Sequence, residues 1–205
     1  MMSNLEFCVL SSAYLPPIDY IRLVSVSESS FIERCENYQK QSYRSRCHIY
    51  SANGLLPLII PVLRDNDHSV KISDIKIDYS KEWQKQHWGA IVSAYKSSPF
   101  FDYYQDDLFG FYQMQTSSLF DFNYNLLKTI LDLIGVDYRL EITKSYMHEY
   151  PDGDYRELIH PKRTGLNINE NERYHQVFAH KHGFIPNLSI IDLLFNEGPN
   201  AISFL

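Results

Sequence analysis

The stretch that decides the fold runs from Phe7 to Tyr20 and reads FCVLSSAYLPPIDY. Its first four residues are apolar and typical of a short buried strand. The turn that follows leads to Pro17, a residue type that suits the first turn of a helix. A strand, a tight loop and a helix open many α/β folds, whose ligands lie where strand carboxyl ends meet helix amino ends. The loop lacks the glycines of a dinucleotide fingerprint, which excludes that kind of site. We therefore predict an α/β fold with a site at the carboxyl end of the first strand.

A β-hairpin is predicted around Asn53-Gly54, because this dipeptide favours a type I′ turn, in which both central residues need positive φ. Its arms cover residues 46–51 and 55–63, and two prolines keep the second arm from being a fully paired central strand. Apolar and polar residues alternate over residues 70–77, which predicts a further half-buried strand. The sheet is therefore expected to be mixed.

The middle of the chain is predicted to be helical. Ser80 is suited to cap the first helix, and Gly135 to end the last one. Ser118 and Asp121 have the spacing of a capping box before a clear apolar stripe. The three helices are expected at residues 80–96, 102–113 and 119–134.

The last third of the chain is predicted to be rich in loops. Short strands are expected at residues 138–142 and 176–179, on either side of a loop region, and a final helix at residues 190–196. No internal repeat or low-complexity linker divides the chain. We therefore expect one domain that covers residues 1–205.

Composition and charge limit the class of protein. The formal net charge of −6 argues against bulk electrostatic binding to nucleic acid or to an anionic membrane. No apolar stretch approaches the ~20 residues that span a bilayer, and the N-terminus lacks the basic region of a signal peptide. The three cysteines form no Cys-x-x-Cys pair, which argues against a disulfide framework or a zinc knuckle. A reduced, cytoplasmic protein is therefore expected, and the sequence leaves open whether it is a homo-oligomer.

A dense basic and aromatic run extends from Tyr38 to His48. On an extended chain, Arg44, Arg46 and His48 would point to the same side, since side chains alternate with period two. A guanidinium offers two parallel donors to a carboxylate or phosphate, and Lys40 adds a point charge. The run therefore predicts an anion-binding entrance to a strand. The alternative is a solvated edge strand, on which basic side chains prevent aggregation.

Ser189 and Asp192 resemble a catalytic pair, but their spacing before two leucines is also that of a capping box. We predict that the Ser189 hydroxyl accepts a hydrogen bond from the Asp192 amide. The helix N-terminus that results is still suited to bind an anion, because its amides are unpaired.

Two other groups of reactive side chains give weaker evidence of a functional site. Cys35 has no family-type signature of a catalytic cysteine around it, and cysteine is among the residues most often simply buried. The histidines of the last third do not occur at metal-ligand spacings with carboxylates, so no metal site is expected. These histidines are His160, His175, His180 and His182.

Three segments carry a resemblance to a known family. They are YLPPIDY at residues 14–20, the run from Tyr38-x-Lys40 to Ile49, and FIPNLSIIDLLFNEGP at residues 184–199. Together they resemble the WbqC-like family, and the match extends over nearly the whole chain. The C-terminal segment is the most specific part.

The resemblance implies a role in the biosynthesis of surface polysaccharides or modified sugars. Transfer of an acyl or aminoacyl group to an amino sugar fits that role. The implied partner is a small-molecule substrate, a nucleotide sugar or another anion, and cofactor use is left open. Lys40 and Arg46 would hold a phosphate or carboxylate of the substrate, and Tyr38 would stack on it or form a hydrogen bond. The residues expected to bind substrate are Tyr14, Tyr38, Lys40, Arg44, Arg46 and Ser189.

The chain also departs from the family pattern. The usual Gln-Pro after the first strand is Ser11-Ser12 here, a Gly in the first helix is Asp19, and an Asp-Asp pair is Arg34-Cys35. Glu36 is the nearest substitute for a lost carboxylate, so Glu36 and Asp192 are the candidates for acid–base catalysis. The alternative is a non-catalytic partner in a glycan pathway, which binds a sugar nucleotide or another enzyme.

Overall fold

The computed structural model describes residues 5–63, 69–163 and 173–205. It confirms a mixed α/β fold. A parallel sheet of three strands forms its first layer: β1 (Leu5–Ser11), β2 (Ser27–Glu33) and β7 (Leu140–Ile142), with β2 in the centre. Helix α1 (Ile18–Val26) connects β1 to β2, so the predicted strand, loop and helix continue into a second parallel strand.

The outer edge of β1 is covered by a loop. The Val9 amide donates to the Gly153 carbonyl at 2.7 Å, and the Tyr155 amide donates to the Val9 carbonyl at 3.0 Å. A Cβ atom at position 153 would lie 2.3 Å from the Phe7 ring, so a larger residue there would require that ring to move. The loop therefore protects the backbone of β1 where the sheet ends.

The hairpin consists of β3 (Arg46–Ser51) and β4 (Gly54–Ile59), which pair antiparallel with Ser51 opposite Gly54. The predicted hairpin is confirmed, but its turn differs. The two loop residues are Ala52 and Asn53, and only Gly54 has a positive φ, of 95°. A type I′ turn centred on Asn53-Gly54 is therefore wrong, because the glycine is the first residue of β4.

The strand predicted at residues 70–77 is mostly wrong. Ile72–Asp74 is a 3-10 helix, and only β6 (Lys76–Ile77) pairs, with β5 (Val62–Leu63). The strand-like pattern of apolar residues arises because the 3-10 turn buries Ile72, and the residues that follow bury Ile75 and Ile77. Burial of every second or third side chain does not require a continuous ladder of strand hydrogen bonds.

Three helices form the middle: α2 (Trp83–Tyr95), α3 (Phe101–Gln113) and α4 (Leu119–Ile134). Helix α4 is confirmed as predicted, because the Ser118 hydroxyl accepts from the Asp121 amide at 3.1 Å and Gly135 ends the helix with φ of 79°. Ser80 does not cap α2. Glu82 occupies the N-cap, and the Ser80 amide instead bonds to Asp78.

The C-terminal part centres on α6 (Ile190–Glu197), which confirms the predicted final helix and its end at Gly198. A short helix α5 (Ala179–His182) replaces the strand predicted at residues 176–179. Helix α6 is buried from Ile190 to Asn196, and a 3-10 helix (Gly198–Phe204) follows it. Among the described residues, no helix combines the length and the apolar character needed to cross a bilayer.

Helix α6 is held at its N-terminus by two parts of the chain. The Ser189 amide donates to the His48 carbonyl on β3 at 2.8 Å, and the Ile190 amide donates to the Pro16 carbonyl at 2.8 Å. The loop after β1, the hairpin and α6 therefore meet in the core. This arrangement joins the three segments that carry the family resemblance.

Candidate functional site

A buried polar network lies at the carboxyl end of the parallel sheet. Ser11 ends β1, and its hydroxyl donates to a Glu36 carboxylate oxygen at 3.1 Å. Arg44 donates from Nε to Glu36 at 2.9 Å and from Nη2 to Ser11 at 2.8 Å. Burial raises the pKa of Glu36, against the opposing effect of Arg44. Both Glu36 oxygens are thus occupied by groups of the protein.

A second buried carboxylate lies beside this network. Glu33 ends β2, is fully buried, and accepts from the Thr143 hydroxyl at 2.7 Å and from Arg156 at 3.3 Å. Arg156 also bonds to Asp154 at 2.9 Å. Sequence reasoning missed Glu33, Thr143 and Arg156, because they come from distant segments and carry no local signature.

All three guanidinium nitrogens of Arg156 donate hydrogen bonds to other groups of the protein. Its remaining donors reach the carbonyls of Met147 and His148, both at 3.0 Å. Its guanidinium lies 5.1 Å from the ring centre of Tyr146 and 4.9 Å from that of Tyr150, a cation–π sandwich. Arg156 therefore fixes the loop after β7 and offers no free donors to a ligand.

We call the concave surface above this network the sheet-edge cleft. It has a volume of about 740 Å³, and its lining begins with Cys35 and Glu36, just after the carboxyl end of β2, the side on which open α/β sheets bind ligands. Cys35 and Glu36 border it together with polar residues of the loop after β7. Its lining includes Glu36, Gln39, Lys71, Tyr146, Asp154 and Arg156.

We call the second concave surface the basic cleft, and its volume is about 470 Å³. Lys40, Arg46 and Lys81 supply positive charge, and among the described residues Asp78 supplies the one carboxylate of its lining. Tyr38 and Ser45 border the same cleft, and the Tyr38 hydroxyl lies 2.6 Å from the Ser45 hydroxyl. Residues 59–62 form an apolar wall.

Among the described residues, neither Lys40 nor Arg46 forms a salt bridge. The Arg46 Nε atom is buried and has no hydrogen-bond partner in this part of the chain. An unsatisfied buried donor costs free energy, about 1–3 kcal/mol, and more if it is charged.

Arg44 and Arg46 lie in different sites. Arg44 is in the buried network with Glu36, whereas Arg46 begins β3 and lines the basic cleft. The expectation that Arg44, Arg46 and His48 share one side of an extended chain is wrong, because the strand starts only at Arg46. Among the residues expected to bind substrate, Tyr38, Lys40 and Arg46 come together.

Asp192 lies in the core, with no exposed surface. Its Oδ2 accepts from the Tyr174 hydroxyl at 2.6 Å and from the Gln176 amide at 3.1 Å. Burial raises the pKa of Asp192 to about 6, while these hydrogen bonds act in the opposite direction. It is not among the lining residues of the basic cleft or of the sheet-edge cleft.

The predicted capping box at Ser189 is wrong. Ser189 is the N-cap residue of α6, but its side chain makes no capping bond, and its Oγ is buried without a partner among the described residues. The Asp192 amide bonds to the Ser189 carbonyl instead, at 2.9 Å. The Asp192 amide does bond to Ser189, as the spacing predicted, but the acceptor is the backbone carbonyl and not the side-chain hydroxyl.

Tyr14 is also in the core. Its hydroxyl lies 2.9 Å from His87 Nδ1 and 2.8 Å from the Tyr112 hydroxyl. Burial lowers the pKa of His87 to about 4, so this ring is neutral at pH 7. Neither cleft includes Tyr14 or Ser189 in its lining. Within the described ranges, no three His, Cys, Asp or Glu side chains converge as metal ligands would.

The fold and these clefts define a mixed α/β protein with a basic cleft whose Lys40 and Arg46 form no salt bridge within the described residues. The chain belongs to the WbqC-like protein family, whose sequence profile matches residues 11–163 and 164–204. It is similar to the uncharacterised protein Rv1507c of Mycobacterium tuberculosis (strain ATCC 25618 / H37Rv). The two are 26% identical over 230 residues, which cover 98% of this chain and 97% of the relative. No solved structure matches the chain significantly.

Proposed function

We propose that the chain is an enzyme of surface-polysaccharide or modified-sugar biosynthesis that binds an anionic substrate, such as a nucleotide sugar, in the basic cleft. The family resemblance supports the pathway. The observation that supports the site is the convergence of Lys40 and Arg46, two cations without carboxylate partners among the described residues, on one concave surface.

The arrangement suits recognition of a phosphate. Arg46 offers a planar fork of donors, and Lys40 offers a mobile point charge. Lys81 adds a third cation at the cleft, and Asp78 offsets one charge, so the described side chains that line it carry a formal charge of about +2. Tyr38 lines the cleft as well and is placed to contact a sugar or base.

The reaction that fits best is transfer of an acyl or aminoacyl group to the amine of a sugar. The amine nitrogen forms a bond to the carbonyl carbon, the bond to the leaving group breaks, and a base accepts the proton of the amine. We assign this base to Glu36, because it borders the sheet-edge cleft and burial raises its pKa. We assign Asp192 a structural role, since it is enclosed by Tyr174 and Gln176.

A second candidate is a non-catalytic protein that binds a sugar nucleotide for a partner enzyme. It is favoured by one observation: neither Glu36 nor Asp192 is among the lining residues of the basic cleft. Arg44 and Ser11 also occupy both oxygens of Glu36. Both candidates use the basic cleft for the anion, and they differ in whether product forms.

The proposal is tested by a thermal-shift screen of nucleotide sugars against the protein and its variants. A ligand selective for the folded protein raises its apparent stability. Lys40→Ala and Arg46→Ala should each weaken binding of the ligand found by about 1–3 kcal/mol. Lys128→Ala and Arg139→Ala remove the same charges outside the cleft and are the matched controls. Equal binding by all five proteins would contradict the proposal, and product formation would separate the enzyme from the binding protein.

A further inference from the structure

An apolar row extends along the outer face of β4. Leu55, Pro57 and Ile59 are exposed, and Leu55 and Ile59 keep 50% and 46% of their surface accessible. Side chains at alternate positions of a strand point to the same face, so the three form one row. Large aliphatic side chains on a strand next to solvent are a liability unless something covers them.

The row ends at the cations of the basic cleft. Ile59 lies directly opposite Arg46 in the hairpin register, and opposite residues of an antiparallel pair share a face. Ile59 also lines the basic cleft, together with Lys40 and Lys81. One continuous surface therefore carries a positive end and an apolar extension.

We propose that the substrate held in the basic cleft is a single amphiphile, with a phosphate at Lys40 and Arg46 and a hydrocarbon chain along Ile59, Pro57 and Leu55. This inference rests on the proposed function and narrows its substrate class to an activated acyl or other chain-bearing phosphate compound. Charge complementarity selects the anionic head. The apolar row gives the chain a surface on which each buried methylene adds about fourfold to affinity.

A free amphiphile fits the surface better than a bilayer does. The protein carries a formal net charge of −6, which repels an anionic membrane. The cations of the basic cleft lie next to a row that is one strand wide. Such a surface matches one head and one chain.

The test is titration calorimetry with inorganic phosphate, butyl phosphate and octyl phosphate below its micelle concentration. If half of each added methylene is buried, octyl phosphate should bind at least about tenfold more tightly than butyl phosphate. Ile59→Ser should reduce this gain to about twofold. Arg46→Ala should weaken all three ligands. Ile202→Ser is the matched control, because Ile202 is 45% exposed and lies outside the cleft.

Several outcomes would overturn the inference. If a nucleotide sugar binds through Lys40 and Arg46 but octyl phosphate gains nothing over butyl phosphate, the proposed function stands and the amphiphile does not. If no phosphate compound or nucleotide sugar binds, both fail.

The same Ile59-dependent gain with uncharged octyl glucoside would show that the head is not recognised. Binding to phosphatidylglycerol vesicles without binding of octyl phosphate would assign the row to membranes. A dimer that Ile59→Ser dissociates would assign it to a second copy of the chain.

Discussion

Asp192 is an acid whose position in the sequence suggests catalysis, but its buried surroundings indicate a structural role. It follows an N-cap serine at capping-box spacing, which the sequence makes visible. Its partners Tyr174 and Gln176 precede it by 18 and 16 positions, with no regular spacing that would predict contact. The sequence therefore predicted where the acid lies on its helix, and not that the acid is enclosed in the core.

The first prediction concerns Asp192→Asn. Burial raises the pKa of Asp192 in the folded protein to about 6, above ~3.9 in the unfolded chain. A raised carboxyl pKa contributes stability that is present below pH ~4 and is lost as the pH rises through 6, by about 3 kcal/mol in total. The variant lacks this titration. As the pH is raised from 4 to 8, the native protein should therefore lose about 3 kcal/mol of unfolding free energy that the variant does not lose.

Urea denaturation at several pH values measures this difference. Asp106→Asn, at an exposed position of α3, removes the same charge and is the control. A constant difference between Asp192→Asn and the native protein across the pH range would contradict the burial of the acid.

The second prediction compares a buried ion pair with an exposed one. Arg44 and Glu36 are both buried, so Arg44→Ala leaves an uncompensated carboxylate and should cost about 3–5 kcal/mol of stability. Arg139→Ala breaks an exposed pair with Glu141 and should cost at most about 1 kcal/mol. Chemical denaturation gives both values. Similar losses in the two variants would mean that Arg44 does not hold a buried acid.

At the scale of elements, local signals predicted some parts well. Helix α4 has its cap, apolar stripe and terminal glycine within one continuous segment, and the structure confirms all three. Strand β2 was missed. It reads SESSFIE, with two apolar residues in seven, and it is a strand because β1 and β7 pair with both of its edges. Pairing with distant segments has no signature in the strand itself.

The third prediction separates two N-cap serines. Ser118→Ala should destabilise the protein by about 1 kcal/mol, since the Ser118 hydroxyl accepts the Asp121 amide. Ser189→Ala should cost nothing or stabilise slightly, because the Ser189 hydroxyl has no partner among the described residues. Thermal or urea unfolding of the two variants measures the contrast. A larger loss at Ser189 than at Ser118 would restore the capping box at α6.

At the scale of the whole molecule, one cluster of buried apolar residues draws on the sheet, the hairpin and the long helices. It includes Leu10 of β1, Ile49 of β3, Ile91 of α2, Ile130 of α4 and Leu194 of α6. The single domain expected at residues 1–205 stays a prediction. We expect far-ultraviolet circular dichroism and tryptophan fluorescence to report one coincident urea transition. Two separate transitions would contradict a single folding unit.

The site shows where sequence reasoning ends. That Tyr38, Lys40 and Arg46 lie close together could be predicted, because they are within nine positions and share a basic and aromatic pattern; their role in binding stays a prediction. Arg156 and Glu33 could not, since they are 123 positions apart and meet only through the fold. The apolar wall of the basic cleft comes from β4 and the residues after it, whose sequence indicates only a hairpin arm.

In the proposed function, Lys40 and Arg46 hold the same anion. A double-mutant cycle measured by titration calorimetry tests whether they do, with the nucleotide sugar or phosphate compound that binds best. If both side chains contact one anion, the effects of Lys40→Ala and Arg46→Ala should not add, with an interaction energy of about 0.5–3 kcal/mol. Additive effects, or native affinity in the double variant, would contradict the account.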